Sequence, residues 1–234
     1  MRPGKSPRPT QRSNMRDIVV FGTGQIAELA HFYFGHDSQY QVKAFVVDGA
    51  FRKEDTFKGL PVVALEELEG AFAPADYGAF VAVSYSKLNS VRTAKVETLA
   101  AKGYRLASYI SSRASIFPTT QPGHNAFILE DNTIQPFVRI GANVTLWSGN
   151  HIGHHSVIED NVFIASQVVV SGNCRVKQRS FIGVNATLRD GITVGERCVI
   201  GMGAAIMADC EDESVYPAAR TEPAAVKSSR LRSI

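Results

Sequence analysis

The sequence predicts a parallel β-solenoid preceded by a doubly wound α/β domain, and three observations carry that prediction. Aliphatic residues recur at an unbroken spacing of six from Ile128 to Ile206. The position two before each of them is also restricted. Residues 16 to 110 follow a different rhythm, in which apolar strands alternate with helical stretches around a Gly-x-Gly turn.

The series reads Ile128, Ile134, Ile140, Leu146, Ile152, Ile158, Ile164, Val170, Val176, Ile182, Leu188, Val194, Ile200 and Ile206. A period of six fits neither the 3.6-residue helix nor plain strand alternation, but it fits a coil in which each six-residue unit supplies one side. Two residues before the aliphatics stand Val138, Val144, Ser156, Val162, Val168, Cys174, Ser180, Ala186, Cys198 and Ala204, small or medium throughout. One large and one small inward residue per side fill a narrow prism. Burying each aliphatic contributes roughly 1.5–3 kcal/mol, and stability accumulates coil by coil. With three sides to a coil, the run makes a little over four coils of about 18 residues.

Before the solenoid, the strand Asp17 to Gly22 runs into Gly22-Thr23-Gly24 and a helix from Gln25 to Phe34. A strand over Val42 to Asp48, Leu60 to Val63, a short helix near Leu65 to Leu68, a strand over Ala79 to Ser84, a helix from Lys87 to Ala101 and a strand near Arg105 to Ile110 follow. This alternation predicts a parallel, Rossmann-like sheet. The segment Gly22-Thr23-Gly24-Gln25-Ile26-Ala27 matches the phosphate-binding turn, where absent side chains let backbone N–H groups and a helix N-terminus approach an anion. Asp48 ends the second strand, where an acid accepts hydrogen bonds from a ribose or base. A tight turn without ligand is the plain alternative. The solenoid begins where a second dinucleotide half would stand, which favours a mononucleotide, such as that of an activated sugar, over NAD.

Composition narrows the function classes. The 234 residues are 44% hydrophobic and 20% charged, ordinary for a globular chain, with no apolar run long enough to span a bilayer. The first residues carry Arg2, Lys5, Arg8 and Arg12 without the apolar stretch of a signal peptide, so a cytoplasmic location is expected. These four and Lys227, Arg230 and Arg232 account for the net charge of +3, leaving the body near −4, so no nucleic-acid partner is expected. Met15 opens the patterned sequence, which makes a start at that residue an alternative to a native leader. The expected domains are a disordered leader over 1–15, a nucleotide-sugar-binding domain over 16–110, the solenoid over 111–222 and a basic tail over 223–234. Cys174 and Cys198 lie four hexads apart, on different sides of the coil, so they read as small core residues; no paired-cysteine metal spacing exists and no metal is expected.

Three of the six histidines fall within His151-Ile152-Gly153-His154-His155, beside Trp147. The aliphatic register continues through them, so His154 and His155 occupy a corner and point outward. A solvated corner is the bland reading. Gly172 lies one coil on from His154, where its bare backbone N–H faces an acyl oxygen bound beside the imidazole, an arrangement suited to acyl transfer.

The order of a small Gly-x-Gly domain and uninterrupted hexapeptide repeats with a corner histidine resembles the sialic acid O-acetyltransferase family, which includes N-acetyltransferases of nucleotide-linked amino sugars. The likeness extends to Lys58-Gly-Leu-Pro-Val62 and to Val215-Tyr-Pro-Ala-Ala-Arg220, which resembles the family's closing element. The resemblance implies a left-handed parallel β-helix, a homotrimer, and acetyl-CoA as co-substrate in the groove between neighbouring solenoids. The family's His-Asp/Glu-Cys/Ser-Val-Ile pattern maps onto His154-His155-Ser156-Val157-Ile158, implying His154 as general base with His155 in place of the usual acid. It further implies the Gly172 backbone as carbonyl donor and coenzyme A contacts at Gly172, Val184 and Met202. The nucleotide falls to Gly22, Thr23, Gly24 and Asp48, helped by the loop with Ser84, Tyr85 and Lys87.

The function these readings predict is acetyl transfer from acetyl-CoA to the amine of a nucleotide-linked amino sugar, in the biosynthesis of surface polysaccharides or glycoconjugates. Transfer to a hydroxyl on the same scaffold is the alternative. A non-catalytic or ice-binding solenoid is a further one, but Thr133, Thr145, Thr187 and Thr193 form no threonine ladder.

Overall fold

The computed structural model describes residues 16–218 and 221–230. The expected leader lies outside the described residues, as do Ala219 and Arg220 of the closing element and the last four residues of the tail. The described residues divide into two compact units, residues 16–86 with 91–109, and residues 87–90 with 110–218 and 221–230.

In the first unit, β1 (Asp17–Phe21), β2 (Gln41–Val47), β3 (Thr56–Phe57), β4 (Leu60–Ala64), β5 (Gly78–Val81) and β6 (Arg105–Leu106) form one sheet in the order β3-β4-β2-β1-β5-β6. All pairs are parallel except β3 with β4, an antiparallel hairpin that the strand reading did not contain. Its two turn residues, Lys58 and Gly59, both have positive φ, at 49° and 78°, the conformation that matches the twist of a tight hairpin. The central strands are buried on both faces, which is why they read as continuous apolar runs. Helices α1 (Gln25–His36), α2 (Leu68–Ala71) and α3 (Ser90–Ala101) complete the unit. Val19, Ala44, Val46, Ala79, Val81, Val96 and Leu99 pack into one core.

Three local boundaries differ from the sequence reading. The short helix forms at Leu68–Ala71, after a turn through Leu65 to Glu67, and the last strand splits into Arg105–Leu106 and Tyr109–Ile110. The third helix starts at Ser90 because Lys87, Leu88 and Asn89 all take positive φ, between 50° and 63°, which no right-handed helix accommodates.

In the second unit, two-residue strands stack into three parallel walls. One wall carries Thr133–Ile134, His151–Ile152, Val169–Val170 and Thr187–Leu188, each paired with the residue 18 further on, so the coil length inferred from three hexads holds. The second wall carries Arg139–Ile140, Val157–Ile158, Arg175–Val176 and Thr193–Val194. The third carries Phe127–Ile128, Thr145–Leu146, Phe163–Ile164, Phe181–Ile182 and Val199–Ile200. Every aliphatic of the hexad series is buried, and so are nearly all residues two before them. The final coil is two residues shorter: Val199 pairs with Val215 and Val194 bridges Cys210.

Each corner turns through one residue of positive φ. Phe137, His155, Asn173 and Gly191 hold this position at one corner, and Asn125, Asn143, Asn161, Arg179 and Arg197 at the next. Asparagine, histidine and glycine are the residues that enter this region most readily. At the second corner the asparagines also ladder, with Asn125 Nδ2 donating to Asn143 Oδ1 and Asn143 Nδ2 to Asn161 Oδ1, both at 2.8 Å.

Candidate functional site

His154 and His155 stand at the corner between the first and second walls, both exposed, on a turn held from three sides. Asn173 N–H donates to the His154 carbonyl at 2.8 Å, and Gln135 Oε1 accepts the His154 N–H at 2.9 Å. Beneath them, Ser156 Oγ donates to the Ser171 carbonyl at 3.0 Å and accepts the Cys174 N–H at 3.1 Å. The corner is therefore rigid up to the two imidazoles. Their rings cross at 84°, with His154 Nδ1 and His155 Nδ1 at 3.1 Å. His155 also lies against the Phe137 ring, centroids 4.7 Å apart, one coil earlier.

Gly172 sits directly under the His154 ring. A Cβ at this glycine would lie 2.7 Å from His154 Cε1, 2.8 Å from its Nε2 and 2.9 Å from Asp190 Oδ1. Its φ lies outside the left-handed region, so glycine is required here for room. Gly172 N–H donates to no described residue, whereas its carbonyl accepts the Gly191 N–H at 2.9 Å. The missing side chain lets an imidazole nitrogen and a carboxylate oxygen close in on a bare stretch of backbone, with no space between them for even a methyl group. Asp190 is a residue the sequence reading missed. The signal was its place, two coils from His154, but one carboxylate among the exposed charges of a solenoid does not stand out.

The structure does not bring the remaining solenoid residues to this corner. His151 points outward from the wall between Thr133 and Val169. Trp147 belongs to the preceding corner, with its ring 6.4 Å from Phe163. Val184 and Met202 are exposed at that same preceding corner, stacked one coil apart, where Gly203 N–H donates to the Val184 carbonyl at 2.8 Å. They share no coil corner with His154, since 30 and 48 residues are not multiples of 18.

The first unit carries the second candidate site. Gly22, at φ +121°, packs so closely on Ala82 that a Cβ would fall 2.8 Å from its carbonyl oxygen, so a glycine is obligatory. Gly24 caps α1 without a side-chain hydrogen bond, leaving the N–H groups of the first turn open to an anion. Thr23 lines a cavity of about 200 Å³ with Val47, Phe51, Arg52, Lys53 and Phe57. The sequence reading missed Phe51, Arg52 and Lys53 because they belong to a short 3-10 turn, Gly49–Phe51, and the loop after it, which carry no periodic signal. Asp48 does not stand free: its Oδ1 is held by Lys95 Nζ at 2.5 Å, and that ammonium also lies 5.3 Å from the Phe21 ring centroid. In the loop at 84–87, Tyr85 is exposed, Ser84 Oγ lies 3.4 Å from Ser86 Oγ, and the Lys87 carbonyl accepts the Ser90 hydroxyl at 2.8 Å.

Among the described residues no group of three or more His, Cys, Asp or Glu is placed to hold a metal ion, and no helix is long and apolar enough to cross a membrane.

Two family models match the solenoid, the bacterial transferase hexapeptide (six repeats) at residues 137–172 and the hexapeptide repeat of succinyl-transferase at residues 175–208. Over these residues the solenoid is similar to the hexapeptide-repeat transferases. Its hexapeptide coils form a left-handed parallel β-helix, an exception to the usual right-handed crossover. The whole fold, Rossmann-like unit included, is similar to that of the acetyltransferase domain of PglB from Neisseria gonorrhoeae FA1090, also solved in complex with acetyl coenzyme A. The TM-score is 0.74 at 24% identity, over 86% of this chain and 95% of that one. PerB, a perosamine N-acetyltransferase from Caulobacter crescentus solved with CoA and GDP-perosamine, matches with a TM-score of 0.60 at 20% identity, over 85% and 92%. WeeI from Acinetobacter baumannii AYE matches with 0.64 at 22% identity, over 85% and 95%. No curated protein sequence matches the chain.

Proposed function

We propose that the protein transfers an acetyl group from acetyl-CoA to the amine of a nucleotide-linked amino sugar, with His154 as general base. The observation that carries this reading is the close approach of His154 Nε2 to the Gly172 backbone, which sets an exposed imidazole beside an N–H that no described residue accepts. The likeness to PglB and PerB, structures solved with acetyl coenzyme A or with CoA and GDP-perosamine, supports the choice of donor and acceptor class.

The neutral amine attacks the thioester carbonyl, and its proton passes to His154 Nε2. The Gly172 N–H donates to the oxyanion of the tetrahedral intermediate. Collapse breaks the C–S bond, and the departing thiolate takes the proton back from His154, leaving amide and CoA thiol with the base restored. His155 takes the place of an orienting acid through its Nδ1 contact. Asn150, Ser156 and Cys174 serve the coil and have no part in the chemistry.

In the first unit, the N–H groups of Thr23, Gly24 and the first turn of α1 bind the diphosphate, Gly22 serving as the bare turn because its own N–H is donated to the Val46 carbonyl at 2.8 Å, while Phe51, Arg52 and Lys53 provide an aromatic face and cations beside it. Asp48 reaches the nucleoside through the oxygen that Lys95 does not hold. Ser84 and Tyr85 contribute the adjoining loop. The protein works as a homotrimer in the cytoplasm, where Val184 and Met202 of one chain and the His154 corner of its neighbour flank one coenzyme groove.

A thermal-shift screen against acetyl-CoA, UDP-, GDP- and dTDP-linked amino sugars and NAD(H), followed by an assay of CoA release with each stabilising sugar, tests this function. Stabilisation by acetyl-CoA and one nucleotide class, with CoA release, is expected. Stabilisation by NAD(H) with no response to acetyl-CoA would reject it.

A further inference from the structure

We infer that Asp190 is the residue that selects the acceptor: it holds a cationic nitrogen against His154 and disfavours a hydroxyl in the same place. The inference rests on the acetyl-transfer reading above and concerns which nucleophile that site accepts.

Asp190 Oδ1 and His154 Nε2 lie 2.9 and 2.8 Å from a single point, the position of the absent Gly172 Cβ. They are therefore within about 6 Å of each other, close enough for the carboxylate to act on any charge that develops at the imidazole or beside it. They make no hydrogen bond to one another. Asp190 is exposed and accepts no hydrogen bond or ion pair from any described residue, Arg189 next to it included. Two aspartates further along the last coils are engaged: Asp209 Oδ1 accepts the Thr193 N–H at 2.8 Å, and Asp212 accepts the Glu196 N–H and pairs with Lys177. Asp190 alone of these three has no such partner, and its Oδ1 lies beside His154.

The chemistry of the two possible nucleophiles differs at this point. A sugar amine enters with two or three N–H donors and carries positive charge before deprotonation and again on the nitrogen of the tetrahedral adduct. Both side chains are exposed, so an amine that lies over them from the solvent side can give one N–H to His154 Nε2 and another to Asp190 Oδ1. A hydroxyl has one proton. If it gives that proton to His154, nothing remains for Asp190, and the oxygen that becomes alkoxide-like is set against a fixed negative charge. The carboxylate thus attracts one acceptor and repels the other, and discrimination of this kind uses the repulsive element as much as the attractive one. No atom of the reaction is changed by Asp190; it releases and takes no proton.

The test compares kcat/KM for a nucleotide-linked amino sugar and for the same sugar with a hydroxyl in place of the amine, in the wild-type protein and in Asp190→Asn. Asparagine keeps the size of the side chain and removes its charge, and at an exposed corner it leaves folding intact, which a thermal melt verifies. The amine reaction should fall roughly 10- to 100-fold, as expected for loss of a charge-assisted contact, chiefly through KM for the amine. The hydroxyl reaction should hold or rise, so the ratio collapses, with KM for acetyl-CoA unchanged. An unchanged ratio, or a change confined to KM for acetyl-CoA, overturns the role of Asp190 while leaving acetyl transfer in place. Absence of transfer by the wild-type protein to any amino sugar of the panel rejects the acetyl-transfer reading itself and this inference with it.

Discussion

His154 and His155 meet through their Nδ1 atoms at 3.1 Å, so one imidazole donates and the other accepts. Only the arrangement in which His154 donates leaves a lone pair on His154 Nε2, the nitrogen that faces Gly172. The opposite arrangement places a proton on that nitrogen and removes the base. Under the proposed role of His154 as base, the contact with His155 bears on catalysis through this tautomer.

Replacing His155 with aspartate supplies an acceptor and no donor, and should hold the His154 Nδ1–H tautomer. Replacing it with alanine frees the ring. In ¹⁵N spectra of the histidine-labelled protein, His155→Asp should show His154 protonated at Nδ1, and kcat should stay within a few-fold of wild type. His155→Ala should lower kcat by about 10-fold or more. Equal kcat in the alanine variant would show that the contact plays no part.

Removal of the proposed base, His154, should have a larger effect. His154→Asn should reduce turnover by about 10²–10⁴-fold while circular dichroism and the thermal midpoint stay as in wild type, because the side chain is exposed and the turn is held by backbone and by Gln135. Near-normal turnover would remove His154 from the mechanism.

Gly172→Ala puts a methyl group where His154 and Asp190 come closest, under 3 Å from both. The ring must turn away, since the neighbouring backbone belongs to the coil. Loss of about 10²-fold or more in kcat/KM is expected, with the thermal midpoint little changed, and a steady-state assay beside a melt measures both.

The three cysteines should be inert in the native state. Burial raises the thiol pKa of Cys174, Cys198 and Cys210, so each stays neutral at pH values where an exposed thiol begins to ionise, and the thiolate is the reactive form. A disulfide reagent at pH 8 should titrate none of them in the folded protein and all three after denaturation. Rapid reaction of one in the native protein would show that its coil opens.

Ile164 is fully buried in the solenoid core. Ile164→Ala should destabilise the protein by about 2–5 kcal/mol, measured by denaturant unfolding. A change below 1 kcal/mol, roughly the value of a surface substitution, would mean that coils do not share one core.

The solenoid was legible because its constraint is one-dimensional. A buried aliphatic must appear whenever the chain completes a side, so the hexad series from Ile128 to Ile206 reports coil length, the number of coils and the inward face of each. The same arithmetic stacked Gly172 on His154. It also separated Val184 and Met202 from that corner, although their assignment came from the family resemblance alone. The hairpin at Lys58 and Gly59 was less visible, because a two-residue strand leaves no period to detect. The shortened final coil escaped for a similar reason: past Ile206 the pairing step becomes 16 residues and the hexad rule ends.

By itself the sequence determined the periodic parts of this protein, the coil register, the buried residues and the corner on which the two histidines lie, since these follow from spacing alone. Only the tertiary structure decided how the side chains at that corner meet. The Nδ1 contact of His154 with His155, the close approach of the ring to Gly172 and the unpaired carboxylate of Asp190 depend on rotamers and on three successive coils at once. A one-dimensional pattern records which residues share a corner; the directions in which they point are set by the atoms packed around them.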